Sequence, residues 1–244
     1  MAANPIQVVP IWTPALAPVA APKLTYRGGP LLTAVEVYTF FWGSAWQQAA
    51  QATLMQQVNQ FFDFVLTSAL LDQMAEYSTP GRVIGHGSRH GTKVVTDVPV
   101  GTSVTDAGVQ QMIQGELAGD TSILQPGSNS LYFAFLPPGT AISMGSSSSC
   151  VNFCGYHSDI KGGTFYAVMP YPGCTGCLGG LSDLDALTST CSHELCEAIT
   201  DPVPGQGWYD DANGEIGDIC AWQTKRLGPY AVQLEWSNRA QRCI

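Results

Sequence analysis

Charge is what this sequence has least of. Only 12% of its 244 residues are Asp, Glu, Lys or Arg, against roughly a quarter in an average domain. The shortage falls on the cations: ten Lys and Arg stand against nineteen Asp and Glu, for a formal net charge of -9. Such a chain lacks the basic footprint that nucleic acids and anionic membranes require, so neither is expected as a partner. No run of about 18 apolar residues occurs, which removes a membrane-spanning helix from the candidate elements. The opening Met-Ala-Ala-Asn-Pro lacks the basic-then-apolar pattern of an export signal. If the protein is secreted, that signal is expected to have been trimmed away ahead of these residues.

Cysteine is missing before position 150 and then abundant: Cys150, Cys154, Cys174, Cys177, Cys191, Cys196, Cys220 and Cys243. An even number confined to the C-terminal part predicts a disulfide-stapled half in an exported protein. The rival is a four-cysteine zinc site from Cys150-x3-Cys154 and Cys174-x2-Cys177, which would leave four other thiols idle.

The length suits a single domain with a real core. Pro5, Pro10, Pro14, Pro18 and Pro22 recur too often for a helix, so residues 1–30 are expected to be an extended arm draped on the body. Residues 31–244 are expected to be one α+β domain of mixed elements. Residues 33–42 and 131–136 are apolar and β-branched or aromatic, and 164–169 resemble them; all three predict strands. Ser44 with Gln47 predicts a capping box for a helix to about Leu66, and a second helical piece follows over 68–77. A glycine-broken strand region is expected over 82–98. Thr105 or Asp106 should cap a helix to Leu117. Ser182 with Asp185 should cap another that ends at Asp201-Pro202. Asn213-Gly214 predicts a hairpin spanning 208–220. A last strand is expected over 230–236.

The helix capped by Ser182 carries the chemistry. In Ser192-His193-Glu194-Leu195-Cys196-Glu197, His193 and Glu197 are four residues apart, about 40° around a helix axis, so both side chains point the same way. They can grip one metal ion while Glu194 serves as general base. This is the His-Glu-x-x-His arrangement of zinc hydrolases with Glu in the second His position. The alternative is a solvated acidic face, since the stripe Leu184, Leu187, Cys191, Leu195 and Ala198 lies elsewhere on the helix. A third ligand is sought in Gly214-Glu215-Ile216-Gly217-Asp218, with Asp218 preferred and Glu215 next. So many carboxylates make Ca2+ or Mn2+ fair rivals to Zn2+. Asp210-Asp211-Ala212-Asn213-Gly214-Glu215 also resembles part of a calcium loop, or simply a type I′ turn. His157 is a candidate third ligand or a donor that stabilises developing negative charge. Tyr209 and Tyr171 are weaker candidates for that donor role. His86 and His90 share the i, i+4 spacing, but their flanking glycines predict a loop.

Several segments carry a resemblance. Tyr26-Arg27-Gly28-Gly29-Pro30-Leu31-Leu32 and Val37-Tyr38-Thr39-Phe40-Phe41-Trp42-Gly43 resemble the opening of the phosphate-induced protein 1 family, called EXORDIUM-like in plants. Cys154-Gly155-Tyr156-His157, Val168-Met169-Pro170-Tyr171-Pro172-Gly173-Cys174 and Thr200-Asp201-Pro202 continue it in the same order. The resemblance implies an exported, disulfide-bearing protein of the cell wall or extracellular space, linked in plants to growth and cell expansion. It supplies no biochemical activity. The pattern of the plant members does not keep the His-Glu-x-x-Glu helix, so this chain looks like a microbial branch with a metal site, and the growth role does not carry over.

The resulting expectation is a secreted metal-dependent hydrolase, foremost a zinc metallopeptidase in a zincin-like arrangement of sheet and metal-binding helix. Its substrate would be a peptide or protein, aligned along strand 131–136 or 164–169 by edge pairing. A different class of function also fits: a non-catalytic extracellular protein binding cell-wall polysaccharide through Trp208, Tyr209, Trp222 and Trp236. The metal site would then be structural.

Overall fold

A computed structural model describes residues 8–11, 21–161 and 163–244. Pro5, Pro14 and Pro18 of the N-terminal arm lie outside them. The arm contributes β1 (Val8–Pro10) and β2 (Thr25–Tyr26). β3 (Glu36–Trp42) follows, and a tight 3-10 turn over Ser44–Gln47 leads into α1 (Ala49–Val65). The expected capping box does not form. Gln48 is the N-cap of α1 and makes no side-chain cap bond, because the turn is used to bury Trp46 against Phe41 at 4.8 Å between rings. Ser68 does cap α2 (Ala69–Met74), accepting from the Leu70 N–H.

Beyond them come β4 (Ser88–Val95), β5 (Ser103–Thr105) and α3 (Asp106–Gly119), whose first turn is capped by the Thr105 hydroxyl. Next are β6 (Ser130–Phe135), β7 (Ala141–Met144), β8 (Ser147–Ser148), β9 (Phe153–Ile160) and β10 (Thr164–Met169). A short α4 (Thr175–Leu178) precedes α5 (Asp183–Thr200), where Ser182 accepts from the Asp185 N–H as its capping pattern predicts. The chain closes with β11 (Trp208–Tyr209), β12 (Thr224–Leu227), β13 (Tyr230–Gln233), β14 (Trp236–Ser237) and β15 (Arg242–Cys243).

The architecture is mixed α/β. Its main sheet runs β1-β9-β10-β6-β3-β4. The pairs β10–β6, β6–β3 and β3–β4 are parallel, while β9 is antiparallel to both β10 and β1. Side chains alternate between two cores, as the period of a pleated strand requires. Val37, Phe41, Leu131, Phe133, Phe135, Ala167 and Met169 meet α1, α2 and α5 on one face. Phe40, Trp42, Tyr132, Ala134, Tyr166 and Val168 meet α3 on the other. β6 and β10 are therefore interior strands, and neither offers the open edge that peptide alignment would need. The edge beside β9 is filled by β1.

Three disulfides staple the C-terminal half: Cys150–Cys174, Cys154–Cys177 and Cys220–Cys243. The first two consume all four thiols of the would-be zinc site. Cys191 and Cys196 stay free and buried within α5. Both belong to the core cluster on the α5 side of the sheet, while Cys220 in the same cluster is taken by Cys243.

The hairpin over 208–220 is also absent. β11 pairs instead with β2 from the arm. A type I′ turn needs positive φ at both central residues, and of the Asn213-Gly214 pair only Gly214 has it. A tight turn forms at 210–214, held by Asp210, which accepts from the N–H groups of Ala212 and Asn213 at 2.8 and 3.0 Å. His86 lies in a loop beside Asp72, as expected, whereas His90 is a residue of β4. The glycines near His90 are tolerated because Gly91 lets the strand pack against the Tyr38 ring.

Candidate metal centre

α5 is central rather than superficial. Every residue from Ala186 to Thr200 is buried, so the solvated-face reading of His193, Glu194 and Glu197 is excluded. β9 and β10 cover one side of the helix and β13 another. Two close approaches make this possible. At Gly155 in β9, a Cβ would come within 2.7 Å of Thr190 Cγ2, so only a bare backbone lets His157 reach the helix. At Gly217, a Cβ would lie 2.7 Å from His193 Nδ1 and 2.9 Å from Glu197 Oε1. The loop carrying Glu215 and Asp218 is thereby pressed onto the motif.

The residues singled out by sequence come together. His193 Nε2 is 3.0 Å from Glu197 Oε1 and 4.0 Å from Asp218 Oδ1. His157 Nδ1 is 3.0 Å from Glu194 Oε2 and 3.5 Å from Glu197 Oε2, and its Nε2 is 3.6 Å from Glu215 Oε1. Asp218 N–H donates to Glu197 Oε1 at 3.1 Å. His157, His193, Glu194, Glu197 and Glu215 are all fully buried, while Asp218 keeps 16% of its side chain exposed.

A metal fits this set better than hydrogen bonding does. His193 Nε2, Glu194 Oε1, Glu197 Oε2 and both oxygens of Glu215 are buried without any hydrogen-bond partner. Leaving such groups unpaired costs about 1–3 kcal/mol each, more when charged. His193 Nε2 and Glu197 Oε1 are close, yet not aligned as donor and acceptor. Ligands about 2.0–2.2 Å from a tetrahedral zinc lie roughly 3.3 Å apart, and the separations here run from 3.0 to 4.0 Å. His193, Glu197 and Asp218 form one candidate ligand set, and His157, Glu197 and Glu215 another.

The local field is set by burial and like charge. Glu197 is held down at about 2, because His193 and His157 outweigh its burial. Asp218 is pushed up to about 8 by burial and by Glu197 beside it. Glu215 is raised well above the carboxylate range by burial, despite His157. Burial also raises Glu194, with His157 partly offsetting it. Burial disfavours charge on both histidines, yet Glu215 and Glu194 lift His157, and Glu197 lifts His193, well above the ordinary imidazole value.

Three neighbours complete the surroundings, of which Gln233 and Glu235 escaped the sequence reading. The Asp201 carbonyl accepts from His157 Nε2 at 3.1 Å. Gln233 on β13 places its amide 2.8 Å from His193 Nδ1 and 2.9 Å from the Gly217 carbonyl. Glu235 is buried with neither carboxyl oxygen partnered. The Gln233 contact matters for loading. With its amide nitrogen toward both the Gly217 carbonyl and His193 Nδ1, Gln233 suits only an imidazole whose proton is on Nε2. A cation on Nε2 requires the amide to turn, so that its oxygen receives Nδ1–H, the usual outer partner of a ligating histidine.

The remaining candidates stand apart. Tyr171 donates to Asp183 at the start of α5, far along the helix from His193. Burial, with Glu215 and Asp218 nearby, raises the Tyr209 hydroxyl, which places that ring beside the acidic loop. Asp210 is consumed by its turn, and Asp211 is exposed and pairs with Arg27. Neither joins a ligand set among the described residues, so the calcium-loop alternative has no cage. No protein-family model matches this chain, and no curated protein matches it.

Proposed function

We propose that the chain is a metal-dependent hydrolase. Within that class, the reading favoured here is a secreted zinc metallopeptidase with a zincin-like pairing of sheet and active-site helix. The carrying observation is the unpartnered, fully buried His193 Nε2 beside Glu197 and Asp218, with Glu194 one residue further round the same helix. His193, Glu197 and Asp218 would hold the ion. When bound, it would supply Lewis acidity and a water made acidic near neutral pH. Glu194 Oε1 has no hydrogen-bond partner, while Oε2 faces His157. A carboxylate with a raised pKa at that position accepts a proton from water and returns it to the leaving amine. His157, fixed through the Asp201 carbonyl, orients Glu194. The disulfides agree with an oxidising compartment, and no helix among the described residues is long and apolar enough to cross a membrane.

One observation favours a second reading, a structural ion in a non-catalytic extracellular protein: the ligand cluster is enclosed, with only Asp218 partly exposed. Binding of wall polysaccharide through aromatics has less support. Trp208 packs on Tyr26 and Tyr77, Trp222 donates to the Pro10 carbonyl, and Trp236 is buried.

Elemental analysis of protein purified without added metal, with peptide-hydrolysis assays of wild type and Glu194→Gln, tests the proposal. Stoichiometric metal and a fall of about 100-fold or more in turnover for Glu194→Gln are expected. Absence of metal, or full activity in Glu194→Gln, overturns it.

A further inference from the structure

We propose that the centre holds two divalent cations bridged by Glu197, an inference that rests on the metal-hydrolase reading above. The two oxygens of Glu197 address different histidines: Oε1 is 3.0 Å from His193 Nε2, and Oε2 is 3.5 Å from His157 Nδ1. Glu197 is shared by two candidate ligand sets, each with its ligand atoms within 4.8 Å of one another: His193, Glu197 and Asp218, and His157, Glu197 and Glu215. A bridging carboxylate suits the separation of two-metal hydrolytic sites, about 3.5–4 Å.

The second set has the marks of a built site. Both Glu215 oxygens and Glu197 Oε2 are fully buried and lack hydrogen-bond partners. His157 is oriented in advance. Its Nε2 reaches the Asp201 carbonyl at 3.1 Å and Glu215 Oε1 at 3.6 Å, while its Nδ1 lies 3.0 Å from Glu194 Oε2 and 3.5 Å from Glu197 Oε2, so a cation on Nδ1 would replace a proton there. Ligating histidines carry this kind of outer partner on the nitrogen that does not bind the metal.

Charge balance points the same way. Asp201 is satisfied by the backbone N–H groups of Gly205, Gln206 and Gly207. Glu194, Glu197, Glu215 and Asp218 surround the two imidazoles, with Asp201 beside Glu215 and the buried Glu235 near His193, and among the described residues no Lys or Arg pairs with any of the first four. A single divalent cation leaves two of those carboxylates uncompensated in a buried space, at high cost. The donor set, one imidazole and carboxylates per ion, suits Zn2+ or Mn2+.

The test is a count. Wild-type protein is stripped with chelator, reloaded with Zn2+, freed of excess and measured by elemental analysis. Two equivalents per chain are expected. One equivalent overturns the bridged pair and leaves the hydrolase reading standing; none overturns both. Glu215→Gln should drop to one equivalent with its circular dichroism unchanged, and retention of two would overturn the assignment of the second set. Should that variant fail to fold, Mn2+-loaded wild type decides by electron paramagnetic resonance. An exchange-coupled spectrum is expected, and a spectrum of isolated ions overturns the proposal.

Discussion

Stripping the centre of metal should make the fold sensitive to alkali. Without a cation, Asp218 keeps its proton to about pH 8 instead of losing it near 3.8, because burial and Glu197 oppose its charge. A carboxyl with a raised folded pKa contributes stability that is complete below its unfolded value and is lost as pH rises through the folded one. At about 1.4 kcal/mol per pH unit, the climb from about pH 5 to about pH 8 removes roughly 4 kcal/mol. Whole domains have only about 5–15 kcal/mol to lose. For a chain of this size the melting temperature falls by about 2–4 °C per kcal/mol, so a drop of roughly 8–16 °C is expected. His157 and His193 are also raised, and they push in the same direction. Glu197, held at about 2, has the opposite sign, but its contribution is lost only as pH falls below its ordinary value of 4.5. Loaded protein should lack the slope, since a cation keeps these carboxylates ionised and binding releases their protons. Thermal melts across that range, with chelator and with Zn2+, decide the matter. A flat profile in chelator, or a slope that survives loading, refutes the reasoning.

Three other perturbations probe the same structure. Gly217→Ala sets a methyl 2.7 Å from His193 Nδ1; overpacking of about 1–3 kcal/mol and weakened Zn2+ binding are expected by calorimetry, and unchanged affinity would remove the claim of close approach. Gln233→Glu offers Nδ1–H an acceptor without an amide turn, so Zn2+ affinity should rise by about 10-fold, the lower end of outer-partner effects; weaker binding contradicts it. Cys191 and Cys196, with thiols raised well above their ordinary value chiefly by burial, should resist alkylation in native protein and both react after unreduced denaturation, as counted by mass spectrometry.

The parts of the fold that are legible in sequence are those fixed by local pattern. β6 and β10 alternate between two cores, and Thr105 and Ser182 stand where short hydroxyls cap helices. What escapes is what distant chain decides. Asn213-Gly214 looks like a hairpin until β2, from the arm, takes β11 as its partner. The face of α5 bearing His193 and Glu197 looks solvated because its cover, β13 and the loop from Asp201 to Cys220, is written elsewhere. The ligand cluster was legible through i, i+4 spacing and the scarcity of charge. Gln233 and Glu235 were not, since in an isolated strand a buried polar residue has the same spelling as one facing water.

β1 has a consequence for whatever the centre acts on. By pairing with β9 it turns the rim next to His157 into an interior seam. A guest chain finds no unpaired backbone on β9, and the edges of the sheet are moved to β1 and β4. If the centre binds a metal and acts on a substrate, approach would come from the side of Asp218, whose side chain is 16% exposed. Selectivity would then reside in the loop from Asp210 to Trp222 and its cystine tether, where replacement could retune the visitor without disturbing the sheet.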